Sequence, residues 1–265
     1  MARHLRSRIL FLTCSFTVSL LVCASCAPLL SAQQVSPPAI PNSNASAEDL
    51  ELQGDQLRAQ KRFLDSIDYY NAALAKKPSA LLWNKEGMSY LLLQHPEQAG
   101  KCFDKAIKLD KRAPEGYNNR GYIDQMEKKY AQAIKYYIKA LKLRPSDAVF
   151  QYNMGSSYFA KHDYVHAAHA YKAAFALDPD IFNRVSRTGV MAQATSPEDR
   201  AAFSFMVAKM YAQAGDFDRS LEYLRKAMED GYKDINKVYT ETEFATLRTD
   251  KRFEELMAQR PQAIP

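Results

Sequence analysis

Residues 83–106, WNKEGMSYLLLQHPEQAGKCFDKA, and residues 117–140, YNNRGYIDQMEKKYAQAIKYYIKA, are two versions of one pattern set 34 residues apart. Each has an aromatic residue (Trp83, Tyr117), a glycine (Gly87, Gly121), a small residue twelve places on (Ala99, Ala133), a second aromatic (Phe103, Tyr137) and an alanine (Ala106, Ala140). The pattern extends in both directions. Its glycine recurs at Gly54 and Gly155, its small residue at Ser66 and Ala167, its second aromatic at Tyr70 and Tyr171, and its alanine at Ala73 and Ala174. A proline closes three of the four units, at Pro78, Pro145 and Pro179, whereas Lys111 stands there in the second, with Pro114 soon after.

The residue types have a physical reason. Two antiparallel helices approach closely only where neither carries a bulky side chain, so small residues recur at the crossing. The aromatic fills the space beside it, burying about 150–250 Å² per ring. Small, aromatic and small residues spaced four and then three apart share one stripe of the second helix. A lone helix pair cannot cover that stripe, so neighbouring pairs must stack. The expected fold is all-α, a solenoid of antiparallel helix pairs.

The pattern resembles the tetratricopeptide repeat. Trp83, Gly87, Tyr90, Ala99, Phe103 and Ala106 match its signature in the second unit. Tyr117, Gly121, Ala133, Tyr137, Ala140 and Pro145 match it in the third, where Asp124 replaces the usual tyrosine. Gly155, Tyr158, Ala167, Tyr171, Ala174 and Pro179 match it in the fourth, and a last unit reads Ala208, Tyr211, Ser220, Leu224 and Ala227. The resemblance covers about residues 47–230. It implies a right-handed superhelix of about five repeats, at about 47–79, 80–113, 114–147, 148–180 and 197–230. The register breaks after the fourth unit. Gly189 keeps the period, but Ser196-Pro197-Glu198-Asp199 has the cap, proline and early acids of a new helix start, so 181–196 is expected to be an irregular helix. Residues 231–265 look like the closing segment of many bacterial proteins of this type and are expected to form a helical cap over the last apolar face.

The flanks read differently. Arg3, Arg6 and Arg8 precede an uncharged apolar run from Ile9 to Ala27, and Ser31-Ala32-Gln33 supplies small residues for cleavage. That order is a secretory signal over 1–32, with periplasmic or secreted export as its consequence. An uncleaved membrane anchor competes, because the run is 19 residues long, although Thr13, Ser15, Thr17, Ser19 and Ser25 dilute it. A third reading is a degenerate lipobox at Leu21-Val22-Cys23-Ala24-Ser25-Cys26, in which Cys26 would be lipidated and would tether an outer-membrane lipoprotein. Residues 33–46 hold three prolines and no charge and read as a flexible linker. Cys102 is the one cysteine outside the leader, which excludes a disulfide scaffold in the mature chain.

Composition narrows the function. With 47% hydrophobic and 25% charged residues, the 265-residue chain has a globular balance. Three of the six net positive charges belong to the leader arginines, so there is no global case for nucleic-acid binding. His162, His166 and His169 could share a helix stripe, but no carboxylate or cysteine is spaced to complete a metal site, and they read as surface residues. Cys102 adjoins Phe103 without a nucleophile motif and reads as packing. The chain is expected to be no enzyme and to need no cofactor or metal.

Another protein is the expected partner, through a peptide or helix segment. From the family's geometry, a concave groove would present Lys85 and Met88, then Asn118, Asn119 and Tyr122, then Asn153, Ser156 and Phe159. Amides and an aromatic on rigid helices suit a peptide backbone and one apolar anchor. Some family members hold a C-terminal carboxylate in a Lys/Asn/Arg clamp. Asn119 and Asn153 occupy matching places here, but the full basic set is missing; asparagine there also serves helix packing. A second surface is the basic patch Lys101, Lys105 and Lys108 with Lys135, Lys139 and Lys142, on the expected convex face. It could meet anionic lipid or acidic protein, or stand simply as a solvated face.

Overall fold

A computed structural model describes residues 40–183 and 196–263. The expected leader with Cys26, the linker up to residue 39, most of the 181–196 segment and the last two residues lie outside the described residues.

The architecture is all-helical and repeats as hairpins. Helix α1 (Ala47–Ala59) pairs with α2 (Phe63–Lys76), α3 (Ala80–Leu92) with α4 (Pro96–Leu109), and α5 (Pro114–Met126) with α6 (Tyr130–Leu143). Helix α7 (Ala148–Ala160) pairs with α8 (Tyr164–Leu177), and α9 (Pro197–Ala214) with α10 (Phe217–Glu229). Side-chain oxygens of Ser46, Ser79, Asp147 and Ser196 accept from free backbone N–H groups at the starts of α1, α3, α7 and α9. Prolines at the first turn start α4, α5 and α9, where a missing N–H costs nothing. Between the paired helices one residue takes the left-handed conformation: Lys61, Gln94, Lys128, His162 and Gly215.

Each hairpin closes by laying a ring on a glycine. A Cβ built on Gly54 would lie 2.6 Å from Tyr70, and one on Gly87 would lie 2.5 Å from Phe103. Gly121 and Gly155 stand in the same relation to Tyr137 and Tyr171, at 2.9 and 2.8 Å. The crossing is therefore as tight as the spacing of small residues and rings implies. All four rings are buried. Their hydroxyls, where present, stay satisfied: Tyr70 donates to Asp55 at 2.7 Å, Tyr137 to Gln125 at 3.1 Å and Tyr171 to Ser156 at 3.0 Å. Asp124, which departs from the repeat pattern, is buried and is held by Arg120 one turn earlier at 2.7 Å.

Stacking is regular through the fourth hairpin, with α2 on α3, α4 on α5 and α6 on α7. The next join differs. Helix α8 meets α9 only lightly. Rings fill the step: Phe203 of α9 lies 5.3 Å from Tyr171 and 6.3 Å from Tyr152 between centroids, and Phe175 lies 5.1 Å from Tyr211. The Tyr211 hydroxyl donates to the Pro179 carbonyl at 3.0 Å.

Two expectations need correction. Residues 40–46 do not behave as a free tether: Tyr69 donates to the Ile40 carbonyl at 3.1 Å, Lys76 to the Ser43 carbonyl at 2.8 Å, and Ala45 packs on the first core. Covering the outer face of α2 outweighs the chain entropy that the proline-rich composition favours. The cap is also less helical than expected. It consists of three short 3-10 turns, Ile235–Tyr239, Thr242–Phe244 and Leu247–Thr249, followed by α11 (Lys251–Ala258). Val238, Phe244, Leu247 and Phe253 are buried against α9 and α10. Arg248 holds the turns together by donating to the carbonyls of Val238 and Glu241, both at 2.9 Å.

Candidate functional site

The first helices of the hairpins lie side by side, and polar side chains about one repeat apart tie them. Lys85 on α3 donates to Glu51 and Asp55 on α1, at 2.5 and 2.6 Å. Asn119 on α5 donates to Asn84 on α3 at 2.9 Å, Asn118 donates to Asn119 at 2.9 Å, and Asn153 on α7 donates to Asn118 at 3.0 Å. Ser157 donates to Gln125 at 2.8 Å. The amides run from donor to acceptor in one direction, from α7 through α5 to α3. Such a chain strengthens itself in a low-dielectric seam.

This corrects the expected groove. Asn118, Asn119 and Asn153 have no exposed surface, and Ser156 is buried as well; Phe159 is also largely buried, but its remaining edge borders a recess beside α9. A buried amide that lacks a partner is costly, so the three asparagines satisfy one another instead of facing a peptide. The carboxylate-clamp comparison fails for Asn119 and Asn153 for the same reason. Of the other expected groove residues, Met88 and Tyr122 stay half-buried and reachable, and burial raises the Tyr122 phenol above its ordinary value. Lys85 is half-buried and committed to its two carboxylates.

Two wall residues escaped the sequence reading. Leu92 and Met126 are each about half exposed, at 50% and 48%, one turn beyond Met88 and Tyr122. Their i+4 relation to the two expected residues was the available signal. Together the four form an apolar row on α3 and α5, reachable from solvent and bordered by the Lys85 ion pairs.

The other expected residues spread over the remaining surface. Lys101, Lys105, Lys108, Lys135, Lys139 and Lys142 are all exposed. Lys101 pairs with Glu97 at 2.7 Å. The Lys105 ammonium sits 3.9 Å from the centre of the Trp83 ring, and Lys139 lies 5.3 Å from that of Tyr136. His162 lies in the α7–α8 turn beside Tyr164, His166 bonds Asp163 at 2.8 Å, and both are exposed, as is His169. Cys102 is buried beside Glu86, and burial pushes its thiol up to about 12. Glu86 itself is buried, one of its oxygens has no hydrogen-bond partner, and burial pushes its carboxyl up to about 7 against the pull of Lys105.

Comparison with known proteins agrees with this geometry. Models of the tetratricopeptide repeat match residues 80–113, 114–147 and 201–229. The chain is a tetratricopeptide repeat protein. The matched stretches cover the second and third hairpins and the fifth from Ala201 of α9 onward, and the first and fourth hairpins show the same ring-on-glycine crossing as the second and third. The Small glutamine-rich tetratricopeptide repeat-containing protein 2 of Saccharomyces cerevisiae is 28% identical over 107 residues, 40% of this chain and 31% of that protein. The Hsp70-Hsp90 organizing protein of Triticum aestivum is 26% identical over 102 residues, 38% of this chain and 18% of that protein. The match thus spans less than a third of either relative. Among solved structures, MamA from Desulfovibrio magneticus RS-1 is 18% identical with a TM-score of 0.49, covering 72% of this chain and 96% of that one.

Proposed function

We propose that this tetratricopeptide repeat protein is a non-enzymatic scaffold of the cell envelope that holds a peptide or helix of a partner protein on its inner wall. The observation that carries the reading is the reachable apolar row Met88, Leu92, Tyr122 and Met126 on two rigidly tied helices. Such a row can seat apolar anchors without paying to order the wall, since the amide chain already holds it. A relative named for organizing Hsp70 and Hsp90 supports a protein-binding task. The basic, apolar and small-residue order of residues 1–32 supports export.

Capture of envelope proteins by the wild type and by a Leu92→Glu, Met126→Glu variant tests the wall. Loss of a specific partner from the variant is the expected result, and undiminished capture refutes the reading. A fusion of residues 1–40 to a phosphatase that is active only outside the cytoplasm tests export. The alternative, a lipid-tethered assembly factor acting through the lysine patch and Cys26, draws on the exposure of all six lysines. It has less support, because Lys101, Lys105 and Lys139 already have intramolecular partners.

A further inference from the structure

Where α9 steps out of the register of the four preceding hairpins, a recess of about 530 Å³ opens between α7, α8, α9 and the cap. That volume falls in the range of about 300–1,000 Å³ typical of ligand sites. Its lining is mainly apolar: Phe159 of α7, Ala168 of α8, Phe205, Met206 and Met210 of α9, and Tyr232 of the cap. Flexible methionines let such a surface adapt to side chains of different shape. Phe205 is itself fixed from behind, stacked on Tyr232 at 4.4 Å between centroids.

The charges around the recess are unevenly placed. On the cap side, Lys209 is held by both Glu241 and Glu243, and Lys237 by Asp234 at 2.8 Å, which leaves one acid in surplus. On the α8 side stands Lys172, exposed and, among the described residues, without an ion-pair partner. A segment crossing the recess therefore meets a cation at one rim and an acid-rich edge at the other. The recess also continues the inner wall. With Ala208 in the place of Gly155, Met206, Lys209 and Gln213 hold the repeat positions of Lys85, Met88 and Leu92.

We infer that this recess is a docking pocket for an extended segment of a partner protein, which inserts one bulky apolar side chain (Leu, Met or Phe) and places an acidic residue against Lys172. The inference rests on the peptide-holding reading and assigns it a second anchor point. The apolar lining drives insertion, and the two charged rims set the direction of the segment.

Random heptapeptides displayed on phage and selected on the full chain test this. Enriched peptides should share a bulky apolar residue with Asp or Glu within about three positions, and should lose about tenfold or more in affinity for Ala168→Trp, whose indole fills the recess. In Lys172→Glu, a change on the exposed surface that does not burden folding, the selected acid should give way to Lys or Arg. Peptides that bind both variants like the wild type overturn the pocket. If such peptides instead lose affinity for Leu92→Glu, the inner-wall reading stands while the recess falls. If nothing is enriched on any form, both readings fail. Binding of dodecanoate without any peptide enrichment, lost in Ala168→Trp, would make the recess an acyl site and overturn the peptide assignment.

Discussion

One edge of the Phe103 ring lies against Gly87, so close that a Cβ on that glycine would sit 2.5 Å from it. Phe103 is fully buried and cannot swing away. Gly87→Ala is expected to destabilise the protein by about 2–4 kcal/mol, since a methyl forced into a packed crossing displaces ring and backbone together. Gly100, in the neighbouring helix, has no atom nearer than 3.6 Å to its would-be Cβ. Gly100→Ala should therefore be neutral or stabilising by up to about 1 kcal/mol, from helix propensity. Urea unfolding of the two variants side by side separates crossing sterics from propensity.

Glu86 supplies a pH dependence. Its carboxyl lies near 7 in the folded chain, above the ordinary 4.5, because burial disfavours the charged form. A raised folded value favours folding at low pH, and that contribution is lost as pH rises from about 4.5 through about 7. Glu86→Gln should raise thermal stability at pH 8, by about 1–2 kcal/mol after allowing for water and Lys105 near the site, and should change little at pH 4. Melting curves at the two pH values check this; equal effects at both would refute it.

Four hairpin turns place an ordinary side chain where the backbone is left-handed: Lys61, Gln94, Lys128 and His162, with φ near 60°. A Cβ in that region costs about 1 kcal/mol that glycine avoids, less the greater freedom glycine has when unfolded. Lys128→Gly is expected to stabilise by about 0.5 kcal/mol, and Lys128→Val to destabilise by more than about 1 kcal/mol. Denaturant midpoints of the two variants give the comparison.

Asn118 is the middle link of the amide chain, accepting from Asn153 and donating to Asn119. Asn118→Ala removes the donor to the Asn119 amide oxygen on α5 and one acceptor of the Asn153 amide on α7, all buried, at a cost of about 1–3 kcal/mol. Asn119→Ala combined with it should cost less than the sum of the two single changes, because both break one network. A double-mutant cycle by thermal unfolding measures the coupling.

The repeat was legible because its packing is local and periodic. Gly87, Ala99, Phe103 and Ala106 belong to one hairpin, and their types follow from how closely two helices can cross. The same reasoning anticipated the helix start at Ser196 and Pro197, where the capping chemistry is encoded within four residues. The wall was only half legible. Repeat position points to Met88 and Tyr122, whereas the exposure of Leu92 and Met126 and the mutual bonding of Asn118, Asn119 and Asn153 appear only in the folded chain. An asparagine on the inner side of a first helix has the same local pattern whether it faces water or a neighbouring amide.

Residue spacing alone therefore settled the helix pairs, their crossings and the family, since each depends on contacts within about one repeat length. Which polar groups are consumed between hairpins, how residues 40–46 lie on α2, and where a recess opens beside α9 emerged only from three dimensions. Those features depend on the angle and offset at which complete hairpins meet, quantities set by the summed packing of many side chains and written at no single position.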